Sequence, residues 1–417
     1  MLRPLLVFAC LVVVQNIQAD DWRRWRGPTL DNHAPAQAAD AIPIQWSANQ
    51  NIAWRQNIPG QGHATPIVVN DAIFVLTHEP DQQSISLLKY KRSDGQKLGQ
   101  VVLHRNVVPP SYLHKKNTCA SGTPSSDGQH VFVVAQVNDA IVATAVSTSG
   151  DIVWQKTVAP YQAGRGWFGY GASLLLMDDC IVVPVDTDND DRGLYCLDKA
   201  TGALRWRGKR PSTASYSSPI LANVAGRPQI LLSGGYQVSS YDPANGELLW
   251  SVTATSRTTC GTMVWNDQMV FASGSYPEPG TFGISLTPNG AKVTWENKVK
   301  CYEQSMLVVG DYLYGIADNS IAYCWRCSDG QEMWKHRLSG PFSASPLLIG
   351  DRIYASNERG TTFVFKADPT SFQPLAENQL GDSSFASPVY TDQKLLLRHA
   401  LTSGGKRQEF LAAISID

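Results

Sequence analysis

Glycine followed four residues later by tryptophan recurs along this chain. The pairs are Gly150 and Trp154, Gly202 and Trp206, Gly246 and Trp250, and Gly330 and Trp334; Gly290 and Trp295 keep the motif with one residue added. A fixed offset between the most permissive backbone residue and the rarest side chain points to one structural unit used many times. A second element lies between these pairs: a small hydroxyl residue, an apolar run, a short turn and another apolar run. Aligned on Thr65, Thr123, Ser173, Ser218, Thr262, Ser305, Ser345 and Ser387, its spacings are 58, 50, 45, 44, 43, 40 and 42.

The turns inside this element carry Asn, Asp and Gly, as in Asn70-Asp71, Asn266-Asp267 and Gly350-Asp351. Such residues tolerate the left-handed backbone of tight hairpins. The flanking runs are rich in Val, Ile, Leu, Phe and Tyr, as strands are. A third strand such as Gly193–Asp198 follows, then the glycine turn and the strand with Trp. Four antiparallel strands per period make a propeller blade, and eight periods predict an all-β, eight-bladed β-propeller over residues 50–417. Trp154, Trp206, Trp250, Trp295 and Trp334 then point off outer strands and dock on the neighbouring blade, each burial contributing a few kcal/mol. The eighth copy has no Trp strand, whereas Trp54 precedes the first copy without a blade of its own. Pairing the strand of Trp54 with the C-terminal strands closes the ring and removes its open edges.

Arg3 and the apolar run LLVFACLVVV make residues 1–19 an export signal, leaving 20–49 as an N-terminal leader segment. Cys10 lies inside the apolar run, a poor position for lipid attachment. No other stretch is long and apolar enough to cross a membrane. The expectation is an exported, periplasmic or extracellular monomer. With 35 basic against 36 acidic residues the net charge is −1, which disfavours a nucleic-acid partner. Seven cysteines remain after the signal, an odd number. Cys119 and Cys301 fall at equivalent places four blades apart, across the axis, whereas Cys260 and Cys301 lie on adjacent blades and are the candidate disulfide.

LDKATGALRW (Leu197 to Trp206) and YDPANGELLW (Tyr241 to Trp250) resemble the signature of the pyrroloquinoline-quinone-like (PQQ-like) repeat family. The resemblance runs from about residue 50 to the end, and DWRRWRGP (Asp21 to Pro28) is similar to leaders preceding such exported propellers. It implies the propeller fold but not one activity, because the family includes quinoprotein dehydrogenases and BamB-type assembly factors. The dehydrogenases carry adjacent cysteines over the quinone, calcium ligands and a catalytic Asp. No two cysteines here are adjacent, no Cys-x-x-Cys-His haem motif occurs, and no catalytic residue can be assigned by motif.

Segments just before each inner strand are expected to line one mouth of the ring. They supply His63, Asn117, Arg165, Trp167, Tyr170, Tyr216, Arg257, Tyr302, Glu303 and Phe342 as candidate ligand-binding residues. Sugar hydrolysis would need two facing carboxylates, and Glu303 is the sole funnel candidate. Asp186, Asp188 and Asp190 have the alternate spacing of half a calcium loop, but Asp191 stands where such a loop needs Gly. Cys324 and Cys327 fall on opposite faces of one strand and cannot easily share a metal. The leading expectation is a non-catalytic scaffold that binds a protein, a peptide or a small polar ligand without a cofactor, a BamB-like role being one version of it. The alternative is a divergent quinoprotein dehydrogenase using PQQ and calcium.

Overall fold

The protein is described by a computed structural model covering residues 21–161, 168–274, 276–287 and 290–416. The export signal and Cys10 lie outside the described residues. Eight antiparallel sheets follow one another along the chain. Blade three shows the plan: inner strand Leu175–Leu176, then Cys180–Val185, Gly193–Asp198 and outer strand Leu204–Gly208. Its register sets Val182 opposite Cys196 and Cys196 opposite Trp206. The inner strands of the other blades begin at Ile67, Ser125, Ile220, Val264, Leu307, Leu347 and Val389.

The ring closes head to tail. Ile52–Ile58 is the outer strand of the eighth blade, with Trp54 opposite Ala413 and Ile58 opposite Glu409. Burial explains why this fold needs no central core. Apolar clusters fill the interfaces between successive sheets, one joining Ile67 and Phe74 of blade one to Val131 and Val133 of blade two, another joining Phe132 to Ile181. The charged centre of the closing blade is Arg398, whose guanidinium meets Glu409 at 2.7 and 2.9 Å and donates to the carbonyls of Ala64 and Leu76. Both members are buried, so the hydrogen bonds offset the cost of removing the charges from water.

The tryptophan–glycine offset has a direct geometric meaning. Gly202 of blade three has φ +69°, and a Cβ there would lie 2.8 Å from Trp154 of blade two. The indole N–H of Trp154 donates to the carbonyl of Lys199 on the same turn at 3.0 Å. Trp54 sits likewise over Gly95, Trp206 over Gly246 and Trp295 over Gly330. Each indole therefore occupies the space a side chain would need, on a turn whose backbone also favours glycine. Trp334 meets Phe372 of blade seven and donates to Asp368. Trp250 departs from the expected docking: its N–H donates to Gln229 of its own blade at 2.7 Å.

The aligned hydroxyls form a belt. The backbone N–H of Thr65 donates to the hydroxyl of Thr123, Thr123 to Ser173, and Ser173 to Ser218, at 3.1, 3.0 and 2.8 Å. Thr262 donates to Ser305, Ser305 to Ser345 and Ser345 to Ser387, each at 2.9 Å. The belt uses side chains to tie inner strands of neighbouring blades, which share no sheet.

The expected disulfide is absent: Cys260 and Cys301 are both free. Cys301 is turned into the core beside Ser273 and Gly315, whereas Cys260 faces the central channel next to Tyr302. Adjacent places on adjacent blades do not suffice when the two side chains point to different sides of their strands.

The leader crosses the ring at the end where the inner strands finish. Trp22 pairs with Val68 of blade one, and the carbonyl of Arg23 accepts from Ser126 of blade two. Arg24 donates to Leu176 of blade three and Arg26 to Met306 of blade six. Asn32 bonds the carbonyl of Pro346, and His33–Ala34 runs parallel to Leu347–Ile349, giving blade seven a fifth strand. Trp25 reaches further in, its indole donating to Thr262 of the hydroxyl belt at 2.8 Å.

Candidate functional site

A channel cavity of ≈400 Å³ occupies the axis. The leader stoppers it at one end with Trp25. Its wall carries the belt hydroxyls Thr65, Thr123, Ser173, Ser218, Thr262 and Ser387. The opposite mouth is made by the segments preceding the inner strands, as such segments must end where the strands begin.

Of the expected mouth residues, His63, Asn117, Tyr216, Tyr302 and Glu303 line this cavity. His63 stacks on Phe385 with centroids 4.2 Å apart, and its Nδ1 lies 3.1 Å from the carbonyl oxygen of Lys116. Burial pushes its pKa down to about 4 against the opposing pull of Glu409, so the ring is neutral at pH 7. Asn117 donates to the carbonyl of Phe168 at 2.9 Å. The hydroxyl of Tyr216 accepts from the N–H of Phe168, and that of Tyr302 bonds Thr258.

Three expectations are corrected. Tyr170 is buried between blades two and three, where its hydroxyl donates to Pro184. Phe342 is buried against Phe363. Arg257 faces a separate rim depression with Asp188 and Tyr236. Arg165 and Trp167 lie outside the described residues. The alternately spaced carboxylates of Asp186, Asp188 and Asp190 do not converge. Asp186 is buried and gripped by Arg210, with Nε and Nη2 each 2.8 Å from its carboxylate, while Asp190 is fully exposed. Among the described residues no three His, Cys, Asp or Glu side chains are grouped to hold a metal.

The mouth holds an ion cluster that motif reading missed. Lys116 Nζ lies 3.0 Å from Glu303 and 2.7 Å from Glu358. The Ser343 hydroxyl lies within hydrogen-bond reach of both carboxylates and has one proton to give to either. Lys116 comes from the loop between blades one and two, Glu303 from the approach to blade six and Glu358 from blade seven, so the cluster spans the opening. Burial works against the charge of Lys116, but hydrogen bonds and charge from Glu358 and Glu303 outweigh it and hold its pKa above the ordinary lysine value. Glu358 supplies the second carboxylate of the funnel, yet both carboxylates share one ammonium and one hydroxyl. Neither stands free as an acid or base.

The outer rim is uneven. Leu98, Ile152, Val153, Leu204 and Leu248 are exposed aliphatics at the starts of the outer strands of blades one to four. On blade six the outer strand starts with Glu332.

Comparison with known proteins agrees with this architecture. A family model described as outer membrane protein assembly factor BamB matches residues 85–336. The outer membrane protein assembly factor BamB of Bordetella pertussis is 19% identical over 330 residues, 66% of this chain and 79% of its own. Among solved structures, BamB from Moraxella catarrhalis superposes with a TM-score of 0.60 at 13% identity, covering 86% of this chain and 97% of that one. The quinohemoprotein alcohol dehydrogenase from Comamonas testosteroni superposes with a TM-score of 0.64 at 11% identity, covering 95% and 80%. At such identities the structural likeness concerns the fold alone.

Proposed function

The chain belongs to the family of the outer membrane protein assembly factor BamB, and from that premise we propose that it is an exported, non-catalytic scaffold holding a protein partner of outer-membrane assembly against its rim. Export rests on the apolar run after Arg3. The observation that carries the partner reading is the row of exposed aliphatics on the outer strands of blades one to four. Outer strands are sheet edges with unpaired backbone groups, and an extended segment of a partner can add to them. Apolar side chains beside such edges supply the burial that backbone pairing alone lacks.

Two features of the channel favour binding over turnover. The carboxylates of Glu303 and Glu358 are both engaged by the one ammonium of Lys116, and His63 is held neutral with Nδ1 committed to a carbonyl. The quinone reading finds little to build on. A bound PQQ would present several carboxylates, whereas Lys116 is the single Lys or Arg among the described lining residues and already serves two carboxylates. Calcium is favoured by several convergent carboxylates, and among the described residues no three His, Cys, Asp or Glu side chains are grouped. The residues present do not fit the quinone and its metal.

The test is co-purification of outer-membrane assembly components with the full chain and with a Leu98→Asp, Leu204→Asp, Leu248→Asp variant. Exposed positions tolerate the changes with a melting shift of a few degrees at most. The expected result is loss of the partner at unchanged folding. Retention of the same partner by the triple variant would contradict the rim assignment.

A further inference from the structure

The stoppered channel presents an unusual set of polar groups. In the belt, the hydroxyl oxygens of Thr123, Ser173, Ser218 and Ser387 each accept a backbone N–H from the preceding blade. Thr262 accepts from the indole of Trp25. Accepting a bond does not consume the hydroxyl proton, so each retains one donor. These five residues and Thr65 line one cavity, and no acceptor for their protons occurs among the described residues. The channel wall therefore offers a set of hydroxyl donors to whatever fills the cavity.

Above the belt stand flat rings. Phe385 lies against His63 at 4.2 Å, and Phe168 is 6.1 Å from Tyr216. Trp25 forms the base. The charge balance narrows the ligand further. Lys116 with Glu303 and Glu358 leaves the mouth with an excess of one negative charge, so an anion is disfavoured. A wholly apolar ligand would strand the hydroxyls, at about 1–3 kcal/mol for each group left without a partner.

We infer that the channel binds a neutral polyhydroxylated ring compound, a saccharide of one or two rings. Its oxygens accept from the belt while its C–H faces lie on Phe385, Phe168 and Trp25. A cavity of ≈400 Å³ admits a molecule of that size and little more. Entry is through the mouth bridged by Lys116, because the leader occupies the other end. This site is separate from the rim and does not depend on the partner reading.

The experiment is calorimetric titration of the full chain with glucose, N-acetylglucosamine, maltose and cellobiose, with citrate as an anionic control. At least one saccharide is expected to bind with a Kd of about 1 mM or tighter, and citrate more weakly. Thr65→Val is the informative variant. The Thr65 hydroxyl accepts none of the belt bonds, so an isosteric change leaves the ring tied. It should weaken the saccharide by about 5–10-fold, and Phe385→Leu should weaken it as well. The Leu98→Asp, Leu204→Asp, Leu248→Asp variant should bind the sugar unchanged. Absence of saccharide binding by the folded chain, tighter binding of citrate, or indifference to both channel variants would each overturn the inference.

Discussion

His104 and His399 are buried side chains that burial keeps neutral, each with its pKa pushed down to about 4, with Arg55 adding to the effect at His399. An unfolded histidine takes its proton near pH 6.5. Between those values the unfolded chain binds more protons than the folded one, so stability falls as pH drops from about 6.5 towards 4. Each histidine contributes about 1–3 kcal/mol to that loss. A His104→Gln, His399→Gln variant should show a smaller drop in melting temperature between pH 7.5 and 4.5 than the natural chain. An equal drop would place the acid sensitivity elsewhere. The same scale shows what reading the sequence could not resolve. Residues just before each inner strand were identifiable as mouth residues, and His63, Tyr216, Tyr302 and Glu303 are there. Tyr170 and Phe342 belong to the same segments but point into interfaces, because neighbouring residues of extended chain face opposite ways. Lys116 and Glu303 are 187 residues apart, and no local pattern announces that they meet.

At the level of the element, the repeated Gly and Trp are two halves of one joint. The blade was legible because its turn, its strands and its indole are all set by nearby sequence. The belt was legible only as an alignment of small hydroxyls; that they hydrogen-bond around the ring required the assembled fold. Comparing two glycines isolates the contribution of the indole. Gly246 and Gly310 both have positive φ, +72° and +57°, but a Cβ at Gly246 would strike Trp206 while one at Gly310 meets nothing within 4 Å. Gly310→Ala should cost about 1 kcal/mol from backbone strain alone. Gly246→Ala should cost about 2–4 kcal/mol, because the Trp206 ring must leave its seat. Equal losses by denaturant titration would show that the stacked indole adds nothing to blade cohesion.

At the scale of the whole molecule, the ring is closed twice: around its circumference by Ile52–Ile58 and across its axis by the leader. Closure of the circumference was foreseeable from a surplus tryptophan strand at one end and a missing one at the other. The axial closure was not, because Trp22–Ala34 has no strand periodicity and its bonds go singly to many blades. It places the leader, with Trp25 innermost, across one end of the channel. Hydrogen–deuterium exchange on the full chain tests this most directly. Peptides spanning Trp22–Ala34 and Ile52–Ile58 should exchange as slowly as the inner strands. Exchange of Trp22–Ala34 within seconds, while the strands stay protected, would mean the channel is open at both ends.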